Sequence, residues 1–178
     1  MSISKASITD LSALLTLVNT TYRGESSIKG WTSEIHLLAG EIRIDEKILT
    51  HYLTNPAISV LKYTNPANQI TGCVYLERKE ENLYLGMLAV NPESQDGGIG
   101  RLLLQGAEEH ARQLNCDKIN ITVIEDRTEL IAWYQRRGYV ATGGKFPFPL
   151  EYHKYGKPLK EITLIEMEKA IINPKRSD

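Results

Sequence analysis

The stretch Leu88-Ala89-Val90-Asn91-Pro92-Glu93-Ser94-Gln95-Asp96-Gly97-Gly98-Ile99-Gly100-Arg101 decides how this chain is read. An apolar run with strand character, residues 83–90, enters it, and an amphipathic helix leaves it. Ile99, Leu102, Leu103, Ala107, Ala111 and Leu114 recur at three- and four-residue spacing, which puts them on one helical face. Between strand and helix, Gly97, Gly98 and Gly100 let the backbone come close to a ligand. The first N–H groups of a helix lack intrahelical partners and stand at the positive end of its dipole. The stretch is therefore an anion site, with a phosphate or pyrophosphate as the expected guest.

Working outward, the pattern predicts strands over residues 3–9, 58–63 and 70–78 before the glycine turn. Residues 118–124, 139–142 and 162–169 are predicted strands after it. The short charged turn 79–82 makes residues 70–78 and 83–90 an antiparallel hairpin. Helices are expected from Asp10, as N-cap, to about Tyr22, over 46–53, from the glycine turn to about Asn115, and over 128–137 with Gly138 as C-cap. Residues 23–45 are irregular and hold an isolated Trp31. Residues 146–149, Phe-Pro-Phe-Pro, begin a second loop. No internal repeat and no linker appears, so the reading is one α/β unit.

Composition bounds the function. The chain has 178 residues, with 21 Lys+Arg against 22 Asp+Glu and a formal net charge of -1. The basic excess of a nucleic-acid-coating protein is missing. Cys73 and Cys116 are too few for a disulfide framework and read as reduced core residues. The longest apolar stretch, residues 84–90, is far below the ~20 residues of a membrane span. The N-terminus lacks the apolar run of a signal peptide. A soluble, cytoplasmic protein with no membrane or nucleic-acid partner is expected. His36, His51, His110 and His153 show no metal-ligand spacing, so no metal is expected.

Three phosphate-site patterns can be set against the glycine turn. A nucleoside triphosphate loop ends in Gly-Lys-Ser/Thr, whereas this turn ends in Gly100-Arg101-Leu102. A dinucleotide fingerprint needs a glycine at position 103, where the chain has leucine, and a βαβ unit instead of a hairpin. The third pattern, Gln-x-x-Gly-x-Gly at Gln95, Gly98 and Gly100 with Val90-x-Pro92 before it, resembles the coenzyme A loop of the GNAT superfamily of N-acetyltransferases. A second block, Leu130-Ile131-Ala132-Trp133-Tyr134-Gln135-Arg136-Arg137-Gly138-Tyr139, resembles that superfamily's other motif, a tyrosine four residues before a Gly-aromatic pair. The order of elements is similar over nearly the whole chain. Asp96 stands where glycine is frequent in the family, Gly97 where a basic residue is frequent, and Arg127 where asparagine is frequent.

The resemblance implies a single-domain GNAT-like α/β fold over residues 1–172, followed by a polar tail at 173–178. Its centre is a mixed, mostly antiparallel sheet of six to seven strands flanked by about four helices. It implies transfer of an acetyl group from acetyl-CoA, as cosubstrate, to an amine. The pyrophosphate would rest on the backbone of Gln95, Asp96, Gly97, Gly98, Ile99, Gly100 and Arg101, with Arg127 counted among the cofactor-binding residues. Pantetheine would lie along Leu88, Ala89 and Val90, where the family's strands splay. Tyr134 would protonate the departing thiolate. Glu77 and Glu34 are candidates for the general base that neutralises the amine.

Trp31, Phe146 and Phe148, on the two loops, are the expected acceptor-site residues, with Tyr152, His153 and Tyr155 on the second loop. A small or amino-acid-like amine is the expected acceptor. Protein or peptide acetylation and a non-catalytic acyl-CoA binding module are the alternatives. Many members of the superfamily are dimers, so a homodimer stays open.

Overall fold

The structure, a computed structural model, describes residues 2–23, 25–31, 33–149 and 156–172; the side chains of residues 25, 26, 95 and 96 are not described. The strands are β1 (Ser2–Lys5), β2 (Leu38–Ala39), β3 (Ile58–Thr64), β4 (Ile70–Lys79), β5 (Asn82–Val90), β6 (Lys118–Ile124), β7 (Val140–Pro147), β8 (Lys157–Pro158) and β9 (Thr163–Ala170). The α-helices are α1 (Leu11–Tyr22), α2 (Glu46–Thr54), α3 (Ile99–Gln113) and α4 (Thr128–Gln135). Seven strands form one sheet in the order β1-β3-β4-β5-β6-β9-β7. Every pairing is antiparallel except that between β5 and β6. The expected α/β class, strand number and helix number are those observed.

Strand alternation splits the core into two layers. Val74, Leu76, Leu83, Leu85, Leu88 and Val90 pack with Ile99, Leu103, Leu104 and Ala107 of α3. Cys73, Tyr75, Met87 and Ala89 point the other way, to Leu14, Leu17 and Val18 of α1 and Leu49 of α2. Gly72 sets the distance on the α3 side. A Cβ there would lie 2.7 Å from the Ile99 side chain, so the start of α3 sits closer to β4 than any other residue would allow.

Several elements differ from the expectation. The first strand ends at Lys5, not at residue 9, because Ser7 and Asp10 cap a 3-10 turn at Ile8–Asp10, with Ser7 N–H donating to Asp10 Oδ2 at 2.8 Å. Asp10 does not cap α1 with its side chain, which instead accepts from Lys62 Nζ at 2.6 Å. The last helix ends at Gln135, two residues before the expected 137. β7 runs on through Gly143 and Gly144 to Pro147, so Phe146 lies on an edge strand and not in a loop; an irregularity between Ala141 and Lys145 absorbs the glycines. Part of the irregular region 23–45 is ordered by a small two-stranded sheet of β2 and β8 and by a 3-10 turn at Glu25–Lys29.

Candidate functional site

The site begins where β5 and β6 part. They pair in parallel only at Asn82, Leu83 and Tyr84 with Lys118, Ile119 and Asn120. β6 stays paired with β9 along its whole length, and β5 stays with β4. Among the described residues, no strand lies on the β6-facing edge of β5 beyond Tyr84, and a V-shaped fork opens.

A bulge drives the parting. Cys73 faces Ala89 and Tyr75 faces Gly86, so β5 carries one more residue than β4 between these pairs. Met87 takes up the extra length in a left-handed conformation, φ 47°. Such bulges bend and twist the strand that bears them. Tyr22, at the end of α1, ties the bulge down: its hydroxyl donates to the Leu88 carbonyl at 2.9 Å. The hydroxyl of Tyr84, the last paired residue of β5, and Thr122 Oγ1, 3.0 Å apart, bridge the two strands where they part.

At the open end of β5 stands the glycine turn. Asn91 caps a 3-10 turn at Pro92–Gly97 by accepting from Glu93 N–H at 2.9 Å. Gly98 then turns the chain into α3 with φ 69° and ψ 15°, a left-handed conformation that disfavours other residues. The first N–H groups of α3 lack partners from a preceding helical turn, as at any helix start, and they follow directly on the open end of β5. Arg101 is exposed in the first turn of the helix. Burial, with the like charges of Arg136 and Arg101 adding to it, holds Arg137 below the usual arginine value. Three arginines thus gather by the helix start, a positive field suited to phosphates. Ala89 and Val90 are buried in the core, so only their backbone can meet a ligand. The side chains of Gln95 and Asp96 lie outside the described residues.

A cavity of about 540 Å³ fills the fork and the space under α1 and α2. It gathers many of the residues expected from sequence: Trp31, Glu34, Glu77, Leu88, Arg127, Tyr134, Phe146 and Phe148 all line it. Gly97, Gly98, Ile99, Gly100 and Arg101 lie outside it, at the helix start. Tyr152, His153 and Tyr155, on the second loop, fall outside the described residues, as does the tail at 173–178.

Tyr134 is buried on α4, with the rings of Trp133 and Tyr139 edge-on at 5.0 and 5.3 Å. Burial, then the nearby Tyr84, raises its hydroxyl above the usual tyrosine value, against the smaller opposing pull of Arg127 and Arg137. It is a protonated donor at neutral pH. Trp31 stacks on Trp133 at 5.1 Å, and both rings rest on the start of α3, where a Cβ at Gly100 would lie 3.5 and 3.3 Å from them. Arg127 donates to the Trp31 carbonyl, so its guanidinium positions the Trp31 segment.

The two candidate bases differ. Glu34 Oε2 is 2.7 Å from Arg23 Nη1, and Arg23 is 2% exposed, so this carboxylate is committed to a buried ion pair. Glu77 is on β4, pairs with Lys79 at 3.2 Å and is more open to solvent. Burial, then Glu77, raises the neighbouring Tyr75 hydroxyl above its usual range. Burial pushes the Cys73 thiol up to about 12, so it is no nucleophile.

Sequence reasoning missed Tyr22, Arg43, Tyr52, Tyr75 and Tyr84, which also line the cavity. The period-two run Tyr75-x-Glu77-x-Lys79 was the available signal for one cavity wall. Among the described residues, no three His, Cys, Asp or Glu side chains come together as a metal site, and no helix is long and apolar enough to cross a membrane.

Comparison with known proteins agrees with this geometry. YdhI of Bacillus subtilis strain 168 is 28% identical over 131 residues, 73% of each chain. An N-acetyltransferase from Staphylococcus aureus Mu50 superposes with a TM-score of 0.74 at 14% identity, covering 97% of this chain and 98% of that one. The ribosomal-protein-S18-alanine N-acetyltransferase from Escherichia coli superposes with a TM-score of 0.70 at 16% identity, covering 99% and 98%. At such identities these two structures establish a shared fold. The family model for the acetyltransferase (GNAT) family matches residues 21–139, from the end of α1 through the glycine turn to the Gly138-Tyr139 pair, and the chain belongs to that family.

Proposed function

We propose that this protein transfers an acetyl group from acetyl-CoA to the amine of a small or amino-acid-like acceptor in the cytoplasm. The observation that carries the reading is the fork between β5 and β6, with the Tyr134 hydroxyl in its cavity and the start of α3 at its open end. The thioester supplies an activated acetyl group. The N–H groups from Gln95 to Arg101 would take the pyrophosphate, with Arg101, Arg136 and Arg137 adding charge. The β6-facing edge of β5 near Leu88, Ala89 and Val90 would pair with pantetheine as an added strand.

The chain's remaining work is acid–base. Leu88 lies on the bulge fixed by Tyr22, and backbone N–H there would stabilise the oxyanion. The amine loses its proton to a carboxylate, directly or through water. Glu77 suits this role better than Glu34, whose charge is held by Arg23. Tyr134 gives its proton to the departing thiolate. A cavity of about 540 Å³ is in the range of small-molecule sites.

Release of CoA from acetyl-CoA in the presence of amines, amino acids, polyamines and peptides tests the reading, with mass spectrometry of the product. Acceptor-dependent release with an acetylated small product is expected. Acetyl-CoA binding without release across the panel would make the protein a binding module, and turnover of peptides alone would move the acceptor to proteins.

A further inference from the structure

Arg43 is a cation held in place beside the cavity with no hydrogen-bonded anion among the described residues. Its backbone is clamped by Asn19, whose Oδ1 accepts from Arg43 N–H at 2.6 Å and Ile44 N–H at 3.1 Å and whose Nδ2 donates to the Ile44 carbonyl at 3.0 Å. Its guanidinium lies 5.4 Å from the centre of the Tyr22 ring, the ring whose hydroxyl bonds Leu88. The nearest carboxylate oxygen, Glu34 Oε2, is 3.9 Å from Nε, too far for a hydrogen bond, and already accepts from Arg23 at 2.7 Å. Among the described residues the Arg43 guanidinium makes no hydrogen bond, yet it lines the cavity and its side chain is 35% exposed. A planar fork that lines a pocket with its donors not hydrogen-bonded matches a carboxylate or phosphonate.

Charge points the same way. Arg43, Lys79 and Arg127 line the cavity against Glu34 and Glu77. Lys79 is spent on Glu77 and Arg127 bonds the Trp31 carbonyl, which leaves Arg43 as the cation with open donors. The phosphates of acetyl-CoA belong at the start of α3, which packs on the opposite face of the sheet from α1 and α2, and a thioester is uncharged. The anion that meets Arg43 therefore comes from the acceptor. Tyr52 and Tyr75, rings 4.5 Å apart, with Tyr84 beside Tyr75, supply an aromatic wall for its body.

We infer that the acceptor amine carries an oxyanion, a carboxylate or phosphonate, and that Arg43 binds it and so sets acceptor specificity. This rests on the acetyltransferase reading and deepens it. The test is CoA release with α-amino acids, their primary amides, the matched decarboxylated amines and 1-aminoalkylphosphonates. Acids or phosphonates should exceed the matched amides and amines by at least tenfold in kcat/KM.

Arg43→Gln should lower kcat/KM for the anionic acceptors by about 10- to 100-fold, mainly through KM, and bring the acid-to-amide ratio near one. Arg43→Lys should fall between. Acetyl-CoA affinity by calorimetry should be unchanged in both, and circular dichroism reports their folding. Equal or better turnover of amides or polyamines by the unaltered protein overturns the inference while leaving the acetyltransferase reading intact. So does an unchanged acid-to-amide ratio in Arg43→Gln. If no panel member is acetylated, binding of N-acetyl amino acids in the presence of CoA is compared between the unaltered protein and Arg43→Gln. Arg43-dependent binding supports the anchor, and its absence overturns it. Failure to bind acetyl-CoA at all, measured separately, would count against the acetyltransferase reading.

Discussion

The Tyr22 hydroxyl donates a 2.9 Å hydrogen bond to the carbonyl of Leu88, across 66 positions of sequence. The bond joins the last turn of α1 to the bulge that opens the sheet. Burial raises the hydroxyl above the usual tyrosine range, so it remains a donor at any working pH. Tyr22→Phe keeps the ring and leaves a buried carbonyl without this partner. A loss of about 1–2 kcal/mol in urea unfolding is expected. Because the carbonyl lies next to the expected thioester position, kcat/KM for acetyl-CoA should fall by more than the stability loss accounts for. Equal kinetics in a folded variant would mean that the bulge holds its shape without Tyr22.

Tyr134→Phe isolates the proton donor. The ring keeps its edge-on contacts with Trp133 and Tyr139, so folding should change little. If the hydroxyl protonates the thiolate, kcat falls by roughly 100-fold while acetyl-CoA affinity stays within about twofold. Steady-state kinetics paired with calorimetry separates the two quantities. An unchanged kcat would remove Tyr134 from the reaction.

Gly98 and Gly72 serve the same helix start for different physical reasons. At Gly98 an added Cβ has room, its nearest neighbour being Arg101 Nη2 at 3.7 Å, but φ is 69°. Gly98→Ala should therefore cost about 1 kcal/mol of backbone strain and leave the sheet alone. At Gly72 the Cβ meets Ile99 at 2.7 Å, and Gly72→Ala pushes α3 away from β4 at about 1–3 kcal/mol. Both should weaken acetyl-CoA binding. Only Gly72→Ala should couple favourably to Ile99→Ala, which removes the Cγ2 methyl that the new Cβ would meet, in a double-mutant cycle read from melting temperatures.

What the sequence makes legible, and what it hides, follows from the range of the interactions. α3 is legible because Ile99, Leu103, Ala107 and Ala111 repeat one face against a single sheet. The fork is legible only through the resemblance, since nothing about methionine marks residue 87 as left-handed. Gly143 and Gly144 read as a break, yet pairing with β9 carries β7 past them to Pro147. The cavity's other wall is hidden for a related reason. Arg43 and Glu34 sit in an irregular segment where charges read as solvated. What sets them against the cavity is the packing of Tyr22 and Arg23, together with an asparagine clamp 24 positions away.

The two carboxylates proposed for proton removal separate by stability as well as by rate. Glu34→Gln takes from the nearly inaccessible Arg23 the carboxylate that lies 2.7 Å from it, a change that costs about 1–3 kcal/mol. Glu77→Gln gives up only a part-exposed contact with Lys79 and should unfold within about 1 kcal/mol of the parent. If Glu77 is the base, that variant keeps its fold and loses most of its rate. A full rate in Glu77→Gln would return the role to Glu34 or to water alone.

Acid stability gives a check on the fold that is independent of activity. Burial pushes the Asp10 carboxyl up, but the hydrogen bond from Lys62, the bonds from Ser7 and the Lys62 charge outweigh it, so the folded value lies below the ordinary 3.8. A carboxylate held lower in the folded state stabilises the protein wherever it is ionised in both states, and that contribution disappears as the folded form takes up its proton. Asp10→Asn retains an acceptor for Ser7 N–H and removes the charge that Lys62 needs. At pH 7 the variant should be less stable by about 1 kcal/mol. The difference should hold down to about pH 5, shrink as the pH falls through the unfolded carboxyl range, and vanish once the folded carboxyl is protonated. Lys62→Met should produce the same pH dependence, because it removes the other half of one pair. A gap between parent and Asp10→Asn that stays constant from pH 7 into acid would mean that capping at Ser7, and not the ion pair with Lys62, is what Asp10 contributes.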